Sequence, residues 1–153
     1  MAAMQLLLVD DEEAFLAMTK ARLAGRGIAA FTASSGPAAI ALLATRAIDV
    51  VVLDVKMPEM DGIEVLKHIR RHYPQIEVIM LSGHATVQSA VEGLNLGACD
   101  YLEKPCNLSQ LLHKAEEAFA RKTAAEDQVR KSRIDKIIQD PLAIFDDDED
   151  REP

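Results

Sequence analysis

Four residue types at the ends of apolar runs could act together on a charged group. Asp10, Asp11 and Glu12 follow the run QLLLV (5–9), and Asp54 follows DVVVL (49–53). Ser82, with Gly83 and His84, follows IEVIML (76–81), and Lys104–Pro105 follows CDYLE (99–103). Carboxylates held close together repel and need a cation, and hard oxygen ligands with room for water suit Mg²⁺. A divalent ion and an ammonium can together neutralise a phosphoryl group, while a hydroxyl donates to one of its oxygens. A carboxylate left partly free can then act as nucleophile and form an acyl phosphate. Asp54 is the best candidate for that role, because it follows the most apolar run.

Each signal alone has an ordinary explanation. An Asp after a strand often makes a turn, and an acidic cluster often opens a helix, where the dipole favours it. A Lys-Pro pair is commonly a loop. What those explanations leave out is the joint placement, one after another, at the ends of successive runs.

The elements that must position these residues follow from periodicity. The runs are 5–9, 28–32, 49–53, 76–81 and 99–103, and three of them are nearly continuous in Val, Ile and Leu, as strands buried on both faces are. Helical spacing fills the intervals. One stretch carries Phe15, Leu16, Met18, Thr19 and Leu23, and a second Ile40, Leu42, Leu43 and Ala47. A third carries Ile63, Leu66 and Ile69, a fourth Val87, Val91 and Leu94, and a fifth Leu108, Leu111, Leu112, Ala115 and Phe119. Asp61 with Glu64, and Asn107 with Gln110, read as capping boxes, and Gly97 reads as a helix C-terminus. Five βα units imply an α/β domain, a parallel sheet with helices on both faces. In such a sheet ligands bind outside the carboxyl ends of the strands, where the four groups converge.

Composition narrows the function classes. The chain has 153 residues, about half of them apolar, enough for one domain and a tail. Its net charge of −8 argues against sequence-independent binding to nucleic acid. No apolar run approaches a membrane span, and the N-terminus MAAMQLLLVDDEE lacks a signal pattern, so a cytoplasmic location is expected. Cys99 and Cys106 are read as reduced thiols, packed or half-packed. After Phe119 the apolar stripe fails. We place the domain boundary so that residues 1–122 form the domain and 123–153 a helical extension with a disordered acidic tail, DDDEDREP. A short apolar set at Val129, Ile134, Ile137 and Ile138 is expected to dock on a partner or a second copy.

Taken together, LLLVDDEE, VVLDVKMPEMDG, VIMLSGHA, GACDYLEKP and the following LSQLL resemble the receiver family of bacterial response regulators, from residue 4 to about 120. SGHAT and DVKMPEMDG resemble its nitrogen-regulation type. The resemblance implies a doubly wound, flavodoxin-like (βα)5 fold with strand order 2-1-3-4-5. It implies a signalling domain in two-component phosphorelay rather than a turnover enzyme. Asp54 would accept the phosphoryl group from a sensor histidine kinase or phosphotransfer protein. Asp10, Asp11, Asp54 and the backbone carbonyl of Lys56 would hold Mg²⁺, with Asp11 a likelier direct ligand than Asp10. Ser82 and Lys104 would complete the site, Ser82 and Tyr101 would form the switch, and Lys104–Pro105 would be a cis peptide. The surface of the fourth helix, fifth strand and fifth helix would change to control a downstream protein partner, and a second copy is an admissible partner too.

Two alternatives stand beside this reading. An aspartyl-nucleophile hydrolase of the haloacid-dehalogenase kind wants an acidic residue two positions past the nucleophile, where this chain has Lys56. A degenerate receiver that only binds partners would not need Asp10, Asp11, Asp54, Ser82 and Lys104 together. His68, His72 and His113 are read as solvated, without a partner spacing typical of a metal site. Lys56 and His84 are expected to flank the path of a hydrolytic water, crowding it and slowing loss of phosphate.

Overall fold

The computed structural model describes residues 3–83 and 87–140, the side chain of Val87 excepted. Five strands, β1 (Leu6–Val9), β2 (Ala30–Ala33), β3 (Val50–Leu53), β4 (Glu77–Ser82) and β5 (Asp100–Glu103), alternate with five helices. The helices are α1 (Glu13–Ala24), α2 (Gly36–Thr45), α3 (Gly62–His72), α4 (Val87–Asn95) and α5 (Leu108–Gln139). All pairings are parallel, in the order β2-β1-β3-β4-β5. The expected doubly wound five-stranded sheet is the observed one.

Alternation along the strands builds two cores. Leu7, Val9, Val51, Leu53, Val78 and Met80 face one side, where they join Ala39 and Leu43 of α2 and Val65, Leu66 and Ile69 of α3. Leu6, Leu8, Val50, Val52, Ile79 and Leu81 face the other, with Leu16 and Leu23 of α1 and Leu111, Leu112, Ala115 and Ala118 of α5. Because both faces are covered, β1 and β3 have no polar alternation to show, which is why they read as continuous apolar runs. Burying each such aliphatic side chain contributes about 1.5–3 kcal/mol.

The caps hold as expected. Asp61 accepts the N–H of Glu64 at 3.0 Å, Asn107 accepts that of Gln110 at 2.7 Å, and Gly97 ends α4 at φ 107°. Two expectations shift. The second strand begins at Ala30, because the N–H of Ile28 is taken by the Leu23 carbonyl at 3.0 Å in the turn that closes α1, with Gly27 at φ 79°. Ile28 therefore packs as a helix-capping hydrophobe rather than as a strand residue. In α4, the spacing of Val91 and Leu94 suggested a packed stripe, yet they are 50% and 46% exposed. The helix instead turns the buried Gly93 toward Met80 of β4, where a Cβ would stand 3.4 Å from the Met80 Cγ. Position 93 takes the inward side of the helix, so its larger apolar residues at 91 and 94 lie outward.

The first compact unit ends at Ala120, and a second begins at Arg121. Within the second, α5 continues to Gln139, with ion pairs Lys122–Glu126 (2.5 Å) and Asp127–Arg130 (3.6 Å). Val129, Ile134, Ile137 and Ile138 are all exposed. The acidic tail expected after Pro141 lies outside the described residues.

Candidate functional site

The strand ends set the site. The N–H of Asp10 bonds the Ala33 carbonyl at the end of β2 (3.1 Å), and that of Asp54 bonds the Val9 carbonyl at the end of β1 (2.9 Å). The N–H of Lys104 bonds the Ser82 carbonyl at 3.0 Å, which carries the β4–β5 pairing one step beyond the ladder. These bonds bring Asp10, Asp54, Ser82 and Lys104 to one edge of the sheet. The Lys104–Pro105 peptide is cis, as expected. Gly62 supports the floor from below. A Cβ there would overlap the Asp54 backbone carbonyl, so the β3–α3 connection needs glycine at this point.

One oxygen from each of Asp10, Asp11 and Asp54 lies within 4.8 Å of the others, so the structure brings the predicted carboxylates together. Asp10 and Asp54 are buried and Asp11 is exposed. Asp10 is fully engaged: it accepts the Lys104 ammonium at 2.5 Å on one oxygen and the Glu12 N–H at 2.9 Å on the other. Asp54 is not. Its Oδ1 is buried and has no hydrogen-bond partner among the described residues. Burial is the main reason its carboxyl is pushed above the usual range, with the charges of Asp10 and Asp11 adding to it. Lys104 and a hydrogen bond from the fully buried Ser82 pull the other way. For Lys104, burial disfavours the ammonium most, but the bond to Asp10 and the charges of Asp10, Asp54 and Glu12 outweigh it. The lysine is thus held above its ordinary value and stays protonated.

Three carboxylates against one ammonium leave negative charge in excess, and the buried Asp54 Oδ1 has no partner among the described residues. The donor set is all oxygen. Such a site fits a hard, hydrated dication such as Mg²⁺. It opens into a pocket lined by Asp11, Glu12, Asp54, Lys56, Pro58 and Gly83.

Sequence reasoning missed three contacts. The Lys104 ammonium lies 4.3 Å from the centre of the Phe15 ring and 3.4 Å from Glu12 Oε1, so the start of α1 helps to hold it. The hydroxyls of Tyr101 and Ser89 are 3.2 Å apart, tying β5 to α4. Phe15 carried only a core-spacing signal and Ser89 none, since neither partner is near in sequence. His84 lies outside the described residues.

Comparison with known proteins agrees with this geometry. The family described as response regulator receiver domain matches residues 6–116. The alginate biosynthesis transcriptional regulatory protein AlgB of Pseudomonas aeruginosa is 38% identical over 133 residues, covering 83% of this chain and 30% of that protein. An NtrX-like response regulator of Rickettsia conorii is 36% identical over 114 residues, covering 73% of this chain and 24% of its own length. This chain therefore spans under a third of these curated relatives. The crystal structure of a CheY-like response regulator receiver domain protein from Methanospirillum hungatei superposes with a TM-score of 0.77 at 30% identity, over 81% of this chain and 99% of the other. Family match, sheet order and the acidic cluster at the strand ends lead to one assignment: the chain belongs to the response regulator receiver domain family, with an NtrX-like character.

Proposed function

We propose that Asp54 is the phosphoryl acceptor of this receiver domain. The observation that carries the reading is the buried Asp54 Oδ1, without a partner among the described residues and set beside Asp10, Asp11, Ser82 and Lys104. An Asp54 oxygen attacks the phosphorus of a phosphohistidine on a sensor kinase or phosphotransfer protein. The P–N bond breaks, its electron pair returns to the imidazole, and an acyl phosphate forms. Lys104, already protonated and close by, compensates the added charge, and Ser82 donates to a phosphoryl oxygen. Asp11, Asp54 and the Lys56 carbonyl would hold Mg²⁺ directly, with Asp10 beside them, and the ion supplies electrostatic neutralisation of the phosphoryl oxygens. The domain is a signalling module whose chemistry is limited to gaining and losing this one group.

The output side follows from Tyr101. Its ring is half-buried against the core, and its hydroxyl meets Ser89 of α4. Movement of Ser82 toward a phosphoryl group opens room for Tyr101 to turn, which changes the surface of α4, β5 and α5 read by a downstream partner. A cytoplasmic setting suits this exchange, and among the described residues no helix is long and apolar enough to cross a membrane.

The test is mass spectrometry after incubation with acetyl phosphate and Mg²⁺. The parent should gain a single phosphoryl group, and Asp54→Asn should gain none, because an amide cannot form the acyl phosphate. Full labelling of a folded Asp54→Asn protein would place the acceptor elsewhere.

A further inference from the structure

The far end of α3 carries a second chemical grouping. His68 and His72 are four residues apart, which places them on one face of the helix, one turn from each other. Their rings lie with centroids 4.4 Å apart and planes tilted by 43°. The i, i+4 spacing is one at which two imidazoles on a helix can chelate one ion. Tyr73 closes one side, with its ring centroid 6.2 Å from that of His68. Glu64, one turn before His68, lines the same surface hollow as both histidines, next to Met60 and Ile40.

We propose that His68 and His72 form a binding site for a divalent transition-metal ion of the Zn²⁺, Cu²⁺ or Ni²⁺ class, separate from the acidic pocket. The chemistry selects the ion. Lys67 and Arg71 line the hollow as well and oppose any cation by charge. An ion held by electrostatics alone, such as Mg²⁺, gains little there, whereas one that bonds imidazole nitrogen can overcome the opposition. The two rings already lie side by side, with centroids 4.4 Å apart. Water or a group from outside the chain fills the other coordination positions, which suits an exposed, exchangeable site rather than a closed structural one.

Titration with Cu²⁺ and with Ni²⁺, in excess Mg²⁺ to occupy the acidic pocket, tests this. One ion per chain should bind, and the electron paramagnetic resonance spectrum of the Cu²⁺ form should show coupling to two imidazole nitrogens. His68→Gln and His72→Gln should each weaken binding about tenfold or more, the scale of losing one of two ligands. His113→Gln should leave it unchanged, and Arg71→Gln should tighten it severalfold by removing an opposing charge. The altered side chains are exposed or half-buried, so the variants keep the fold, as circular dichroism can verify. Absence of binding, a one-nitrogen spectrum in the parent, or unaltered affinity in the His68→Gln/His72→Gln double variant would overturn the proposal.

Discussion

The carboxyl end of the sheet and the outer face of α4 are built on opposite terms. At the sheet edge, Asp10, Asp54 and Ser82 are polar groups at 5% exposure or less, held where burial and repulsion work against them. On α4, Val91 and Leu94 are apolar groups about half exposed, beside a glycine that takes the buried position. One region hides charge and the other shows hydrocarbon. Each departs from what folding alone favours, and departures of this kind are where function is expected. They are held differently: the pocket is set by backbone bonds between neighbouring strands, whereas α4 meets the sheet through close approach at Gly93 and the Ser89–Tyr101 hydroxyl bond.

The sharpest way to test that contrast is a pair of glycine substitutions. Gly62→Ala forces a Cβ onto the Asp54 backbone carbonyl, and only movement of the β3–α3 connection can relieve it. Its cost should be about 3–5 kcal/mol, in the range of severe core strain, with loss of phosphorylation because the acceptor itself is displaced. Gly93→Ala meets the Met80 side chain at 3.4 Å, an ordinary contact with a flexible neighbour. The better helix propensity of Ala, about 1 kcal/mol, offsets the adjustment, so stability should barely change. Urea unfolding of the two variants decides it, and equal costs would show that both regions are equally rigid.

The same contrast explains what the sequence could reveal. Asp54 and Lys104 were legible because their chemistry demands particular residue types and the parallel sheet dictates where strands end. Whereas the strand order came from the family resemblance, the five βα units and the Asp61 and Asn107 caps were legible for similar reasons, from periodicity and fixed local signals. The outward turn of α4 was not. Val91 and Leu94 have core-like spacing, and only the tertiary approach of Gly93 to Met80 shows which face is inward. The Lys104–Phe15 and Ser89–Tyr101 contacts are likewise products of packing between elements distant in the chain. The i, i+4 spacing of His68 and His72 is legible in the sequence, but the approach of their two rings is seen only in the folded helix.

A smaller effect concerns the stability held back by the pocket. The Asp54 carboxyl is raised in the folded state, chiefly by burial. A group whose folded value lies above its unfolded one favours folding below the unfolded value, here 3.8, and that contribution is lost as pH rises through the folded value. At neutral pH and without divalent ions the ionised Asp54 therefore lowers stability. Asp54→Asn should raise the urea midpoint at pH 8 in EDTA, with the difference shrinking toward pH 4 and on addition of Mg²⁺. On the α4 face, Val91→Ser and Leu94→Ser should change stability by no more than about 0.5 kcal/mol. A less stable Asp54→Asn protein at pH 8 would mean that Asp54 contributes more as a hydrogen-bond acceptor than it costs as a buried charge.

The smallest expected effect lies at the rim of the pocket. Lys56 is exposed and lines the pocket opening two residues past Asp54, where the sequence reading expects it to flank the path of a hydrolytic water. In-line attack requires that water to reach the phosphorus opposite the Asp54 oxygen, so side-chain bulk at the rim restricts it by position alone. A lysine here is no general base unless its ammonium gives up its proton, so crowding is the effect to expect of it. Lys56→Ala should then shorten the lifetime of the phosphorylated domain by a small factor, about two- to fivefold, or up to about 1 kcal/mol in barrier. The measurement is the decay of phosphate from Asp54 after the small-molecule donor is removed, with Mg²⁺ held constant. His84→Ala provides the parallel test on the other flank expected from the sequence. Slower decay in Lys56→Ala would instead show that the ammonium stabilises the transition state for transfer of the phosphoryl group to water, and the rim would belong to the catalytic pocket rather than act as a barrier in front of it.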